Sequence, residues 1–196
     1  MTKLAEATQE AFGSFADLAA PMAAVHGSVA AVIAGSAEGR IWADDLTSPS
    51  VAVLEGPEGT YLIGATQDRA TASAVADLLD DWVYLHVDPR AVAELTYALP
   101  NPYMLQHRRL VFDLGYIGEV PTDADYLRLT IDDDGVGRRF LDGDNEVATC
   151  LPDMIVGERC EIGVWVRPDY RRQGLATALT GAVLRAARDA GLSRVG

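Results

Sequence analysis

Residues 166–179, VRPDYRRQGLATAL, set three arginines and a glycine directly ahead of a regular apolar helix. The preceding run CEIGVWV (160–166) alternates and is rich in β-branched residues, which predicts a strand. Beyond the glycine, Leu175, Leu179, Ala182, Val183, Ala186 and Ala190 fall on one helical face, with Arg185 and Arg188 off it. Gly191 is placed to cap the C-terminus. A strand that turns through a glycine loop into a helix leaves the first-turn N–H groups unpaired, and the helix dipole adds positive potential there. Gly174 lets backbone approach a ligand closely, Ala176 keeps the next turn uncrowded, and Arg171 and Arg172 can supply charge to phosphate oxygens. The junction therefore predicts an anion site, in a fold that alternates strands and helices.

That concentration of positive charge stands out because the chain is acidic, with a net charge of −13 and 196 residues. A nucleic-acid partner needs a basic footprint that is missing, whereas an acidic field concentrates cations such as amines. Acidity also serves solubility alone. Two cysteines, Cys150 and Cys160, build no disulfide framework, so a reducing cytoplasm is expected. The first 25 residues carry Glu6, Glu10 and Asp17 and do not read as a leader. The apolar run VHGSVAAVIAGS is too short to span a membrane.

Along the chain, residues 3–24 read as an amphipathic helix through Leu4, Phe12, Phe15, Leu18 and Met22. Strands are expected at RIWAD, SVAVLEG and TYLIGAT, the last two as a hairpin across GPEG. A helix over 70–81, a strand WVYLHV, a helix beginning at Pro89, a break at PNP (100–102) and a strand RRLVFDL follow. Residues 1–115 thus form an N-terminal α/β region. From 116 to 196 the texture changes to YLRLTIDDDGVGRRF, a strand pair across an Asp-Gly turn, then the turn DGDNE and the strand EVATC. Asp142, Asp144 and Glu146 lack the glycine and the bidentate acid of a calcium loop and read as solvated turns. LSRV opens one more strand.

The loop is neither of the common nucleotide fingerprints, G-x-x-x-x-G-K-[ST] or G-x-G-x-x-G. The pattern R-x-x-G-x-A, from Arg171 to Ala176, embedded in EIGVWVRPDYRRQGLATALTGAVLRAA, resembles the central motif of the GNAT superfamily of N-acetyltransferases. The resemblance implies a GNAT-like mixed sheet flanked by helices, with acetyl-CoA as co-substrate and no metal. It assigns the pantetheine arm to Val164, Trp165 and Val166. The pyrophosphate falls to Arg171, Arg172, Gln173, Gly174, Leu175, Ala176 and Thr177. The stretches IWADDLTSPSVAVLEGPEGTYLIGAT and HRRLVFDL are similar to the N-terminal part of the zwittermicin-resistance type of GNAT acetyltransferase.

The implied reaction transfers acetyl to a primary amine of a small molecule by direct attack in a ternary complex. It needs a base for the ammonium proton and a strand N–H for the developing oxyanion. Glu161 stands where some GNAT enzymes carry their base, and Glu158 is its rival; a solvated strand-end acid is the alternative. Neither cysteine has a histidine near it in sequence, and His26, His86 and His107 have no zinc spacing. A GNAT domain continues past this helix with further strands, one often bearing the tyrosine acid. Here Gly196 falls inside what should be the next strand, so the expectation is either a truncated product or an open edge that another segment, a second copy or a partner completes. A non-catalytic acyl-CoA-binding module, or a nucleotide-binding protein of another fold, are the competing functions.

Overall fold

A strand covered on one face alternates polar and apolar residues, whereas SVAVLEG and TYLIGAT run apolar without a break, which calls for cover on both faces. The structure, a computed structural model, describes residues 3–66, 68–79, 83–99, 110–116 and 127–196. By contacts the chain divides into residues 1–108 and 109–196.

The first unit holds β1 (Ala5–Glu6), α1 (Ala16–Ala23), α2 (Gly27–Ile33), β2 (Arg40–Ala43), β3 (Val51–Gly56), β4 (Gly59–Gly64), α3 (Arg69–Ala76), β5 (Leu85–His86) and α4 (Val92–Ala98). The sheet runs β1-β2-β3-β4-β5, antiparallel except for the parallel β4–β5 pair. One face packs Ile41, Ala52, Leu54, Tyr61 and Ile63 against Phe12, Phe15, Val29 and Val32. The other packs Trp42, Val51, Val53 and Leu62 against Ala74, Val75 and Leu95. Both faces of β3 and β4 are therefore core, as their sequence demands.

The expected helix over 3–24 is broken into three pieces. Ala5 and Glu6 pair with Ala43 and Trp42, and Arg40 holds Glu6 at 2.8 Å, so the first residues join the sheet. Thr8 is extended, and Gln9–Phe15 form a tight 3-10 turn before α1 begins. The apolar run after His26 is a second helix, α2, which periodicity alone did not separate from α1. Asp68 caps α3 by accepting the Thr71 N–H at 2.7 Å, and that helix ends at Ala76, short of the expected 81. The expected strand at 82–87 is Leu85–His86 among the described residues. The break at 100–102, His107 and the start of RRLVFDL lie outside them.

The second unit comprises β6 (Phe112–Asp113), β7 (Arg128–Ile131), β8 (Arg138–Asp142), β9 (Asn145–Val156), β10 (Arg159–Val166), α5 (Leu175–Asp189) and β11 (Arg194–Val195). Its sheet runs β6-β11-β10-β9-β8-β7, with only β10–β11 parallel. Leu175, Leu179, Val183 and Ala187 of α5 pack on Phe140, Val147, Ala148, Cys150, Cys160 and Val195. The fold is mixed α/β, as the sequence predicts.

β9 runs well past EVATC, through Pro152. Its partner there is Ile162, whose N–H points away from β9 to Gly196, so no hydrogen bond to β10 is asked of the proline. The β8–β9 pairing has already ended at Cys150, which frees the other side too. Asp153 is then an extra residue, because Glu161 faces Met154 while Ile162 faces Pro152. At the chain end, β11 is not the bare edge expected from the sequence. Arg194 and Val195 pair with β10 on one side and with Asp113 and Phe112 of β6 on the other.

Candidate functional site

β10 leaves the sheet at Val166, and the Arg167 N–H still reaches the Val147 carbonyl at 2.9 Å. Pro168–Tyr170 make one 3-10 turn, followed by two residues of positive φ, Arg172 at 62° and Gly174 at 82°. Gly174 is the N-cap residue of α5, and no side chain caps the first turn. The N–H groups of Leu175, Ala176 and Thr177 therefore lack intrahelical acceptors and carry the positive dipole end. They border a pocket of about 350 Å³, lined by Val166, Tyr170, Arg171, Arg172 and the first turn from Gly174 to Thr177. Leu175 contributes main chain alone there, since its side chain is buried in the core.

Side chains fix the walls. Arg171 Nε donates to the Val166 carbonyl at 3.0 Å, which holds the guanidinium against the strand end. Gln173 turns its amide to the Asp169 carbonyl at 3.4 Å. Tyr170 donates to Asp142 at 2.6 Å, and that bond keeps its phenol protonated beyond the usual tyrosine range. Sequence reasoning did not assign Tyr170; its place between the proline turn and Arg171 was the available signal. Asp142 belongs to the turn that tempted a calcium reading. Glu146 meets Arg139 at 2.6 Å and Asp144 lies 3.9 Å from Arg128. Among the described residues no three His, Cys, Asp or Glu side chains are grouped to hold a metal.

Upstream of the pocket, β10 presents an open edge. Ile162 donates to the Gly196 carbonyl and Cys160 accepts from the Gly196 N–H, both at 2.9 Å, so even-numbered residues aim their peptide groups toward β11. Past Ile162 no strand among the described residues pairs on that side. Val164 and Val166 therefore direct their N–H groups to the open edge. Trp165 gives its peptide groups to Thr149 of β9 instead and offers a ligand only its half-exposed indole. Gly163 keeps this stretch clear: a Cβ would fall 2.8 Å from the Asp153 carboxylate that the bulge brings alongside, and that side chain would have to move.

Glu161 lies three residues before Val164, on the sheet face opposite Cys160. It is 2% exposed, and its Oε1 sits 2.8 Å from the Arg159 guanidinium, itself nearly buried. Its rival Glu158 is exposed in the β9–β10 turn, where its carbonyl accepts the Ser193 N–H at 2.7 Å. The acid and the pocket thus share one strand, with the acid already ion-paired.

The cysteines occupy the core under α5. Burial pushes the Cys150 thiol up to about 11 and that of Cys160 up to about 12. At pH 8 about one thiol in a thousand or fewer is then thiolate, which disarms both as nucleophiles. Iodoacetamide at pH 8 is expected to leave both unmodified in the folded protein and to label both in denaturant, read by mass spectrometry. His26 and His86 stand together in the first unit, their ring centroids 4.8 Å apart, His86 stacked on Tyr61 and His26 edge-on to it, far from any thiol in sequence.

Residues 118–196 match the acetyltransferase (GNAT) family. The chain is similar to the solved GCN5-related N-acetyltransferase-like protein from Streptococcus suis 89/1591, with a TM-score of 0.63 and 18% identity, over 94% of this chain and 86% of that one. No curated protein matches in sequence. Neither match bears on the zwittermicin-resistance subgroup. Among the described residues no helix is long and apolar enough to cross a membrane. The open strand edge, the double reversal and the uncapped helix start all lie inside the segment that matches the acetyltransferase (GNAT) family, and the fold of the chain is GNAT-like.

Proposed function

We propose that this protein is a cytoplasmic, acetyl-CoA-dependent N-acetyltransferase acting on a primary amine of a small molecule by direct attack in a ternary complex. Residues 116–196 form the donor-binding region and residues 1–115 an N-terminal α/β region. The observation that carries the reading is the pocket at the β10–α5 junction, where unpaired first-turn N–H groups meet two arginines beside an unpaired strand edge.

The residues present suit the donor. Leu175, Ala176 and Thr177 offer N–H groups to a pyrophosphate, with Arg171 and Arg172 supplying charge and Gly174 leaving room. Val164 and Val166 offer strand N–H groups to a pantetheine arm, and Trp165 a flat apolar surface. When bound, acetyl-CoA supplies the acyl group as a thioester. Glu161 receives the ammonium proton through water, since its carboxylate is buried and engaged by Arg159.

The ion pair also favours a second reading, a non-catalytic acyl-CoA-binding module in which Glu161 is structural. Calorimetric titration of the full chain with acetyl-CoA, against ATP, tests the donor assignment. Binding of acetyl-CoA alone supports it, and binding of neither by folded protein removes it. Glu161→Gln separates the two readings. Turnover on small amines lost by about a hundredfold or more, with unchanged acetyl-CoA affinity, identifies the base. Unchanged turnover excludes that role.

A further inference from the structure

We infer that β7 is a homodimerisation edge, through which two copies of this chain join their second sheets antiparallel about a two-fold axis at Thr130. β7 ends the sheet: it pairs with β8, and no other strand among the described residues pairs with it. Asp132 donates its N–H to the Gly137 carbonyl at 3.0 Å, so residues 128, 130 and 132 face inward to β8. Leu129 and Ile131 then direct their N–H and C=O groups outward. Their side chains are 45% and 67% exposed and stand on the same face of the edge strand.

The sequence Arg128-Leu-Thr-Ile-Asp132 is self-complementary about its centre. In the antiparallel register centred on Thr130, Leu129 meets the second copy's Ile131 and Ile131 its Leu129. Each of these pairs exchanges two backbone hydrogen bonds. The same register sets Arg128 against the second copy's Asp132, twice, while slipping by one pairing step sets Arg128 against Thr130 and loses a Leu–Ile contact. A closed two-fold pairing of one patch with itself is the commonest mode of self-association, and opposite charges across strands favour it. Both charges have partners within the chain, Arg128 the Gly143 carbonyl at 3.4 Å and Asp132 the Arg139 guanidinium at 2.9 Å. They select register more than they add affinity. The strand is short, so the dimer is expected in the micromolar range.

Sedimentation velocity of the full chain across that range reads the self-association. Ile131→Pro removes an outward N–H and spares the pairing with β8, an arrangement edge strands tolerate. It takes one hydrogen bond from each copy's contribution and is expected to weaken the dimer about tenfold. Thr130→Cys sits on the axis at a non-hydrogen-bonded pair, where Cα atoms approach to about 4.5 Å, within disulfide reach. Mild oxidation is expected to convert Thr130→Cys, and not Leu129→Cys, to a covalent dimer, the native cysteines being buried. A monomer throughout the range overturns the inference. So do a dimer indifferent to Ile131→Pro in a protein of native circular dichroism, and equal cross-linking of the two cysteine variants.

Discussion

Gly174→Val is expected to weaken acetyl-CoA binding by about a hundredfold or more while leaving the protein folded. At φ 82° the residue occupies the left-handed region, where a non-glycine residue costs of order 1–3 kcal/mol and a β-branched one is the least tolerated. A Cβ placed there meets no atom within 4 Å, so the fold itself does not clash with it. The strain is relieved by the loop leaving the left-handed region, and that movement turns the Leu175–Thr177 N–H groups away from the pocket. Each hydrogen bond from such a group to a charged oxygen is worth about 1.5–3 kcal/mol, so losing two accounts for the drop. The valine side chain also enters the space a phosphate needs. Titration gives the affinity, and a thermal melt lowered by only a few degrees shows the fold persists. Gly174→Ala should fall between. Unaltered affinity in the valine variant would move the donor away from this junction.

The junction was legible because it is local. A strand, a positive-φ glycine and an amphipathic helix follow one another within thirty residues, and each announces itself by spacing or conformational need. The β3–β4 hairpin was legible for the same reason. What stayed hidden depends on partners distant in sequence. Nothing in residues 3–24 says that Ala5 and Glu6 will pair with β2 some 35 residues on, so the helical periodicity of Phe12, Phe15 and Leu18 overran a 3-10 turn. The length of β9 was hidden by Pro152, which stops a strand only where its missing donor is needed. At the site, the role of Tyr170 depends on Asp142, 28 residues earlier. Glu161 was nominated through the family resemblance, from its position at the strand start, but its burial against Arg159 follows from side-chain direction two residues apart, which composition does not reveal.

That ion pair carries the second large effect: Arg159→Met is expected to destabilise the protein by about 3–5 kcal/mol. Removing one partner of a buried pair leaves the other as an uncompensated charge, and this costs far more than the pair contributes as a pair. At 2% exposure, bulk solvent reaches Glu161 too little to replace the guanidinium at 2.8 Å. Methionine keeps most of the arginine's apolar volume, so the loss is chiefly electrostatic rather than a cavity. Arg159→Met with Glu161→Gln should recover most of the stability, because no buried charge then remains. Chemical denaturation of the two single variants and the double variant gives the coupling directly. A coupling near zero would mean that water or another group already compensates Glu161, making the carboxylate far more available than its contact with Arg159 implies. A coupling of several kcal/mol ties the acid to its arginine. Loss of turnover in Glu161→Gln, assayed where that variant is still folded, would then show the same pair serving chemistry as well as the fold.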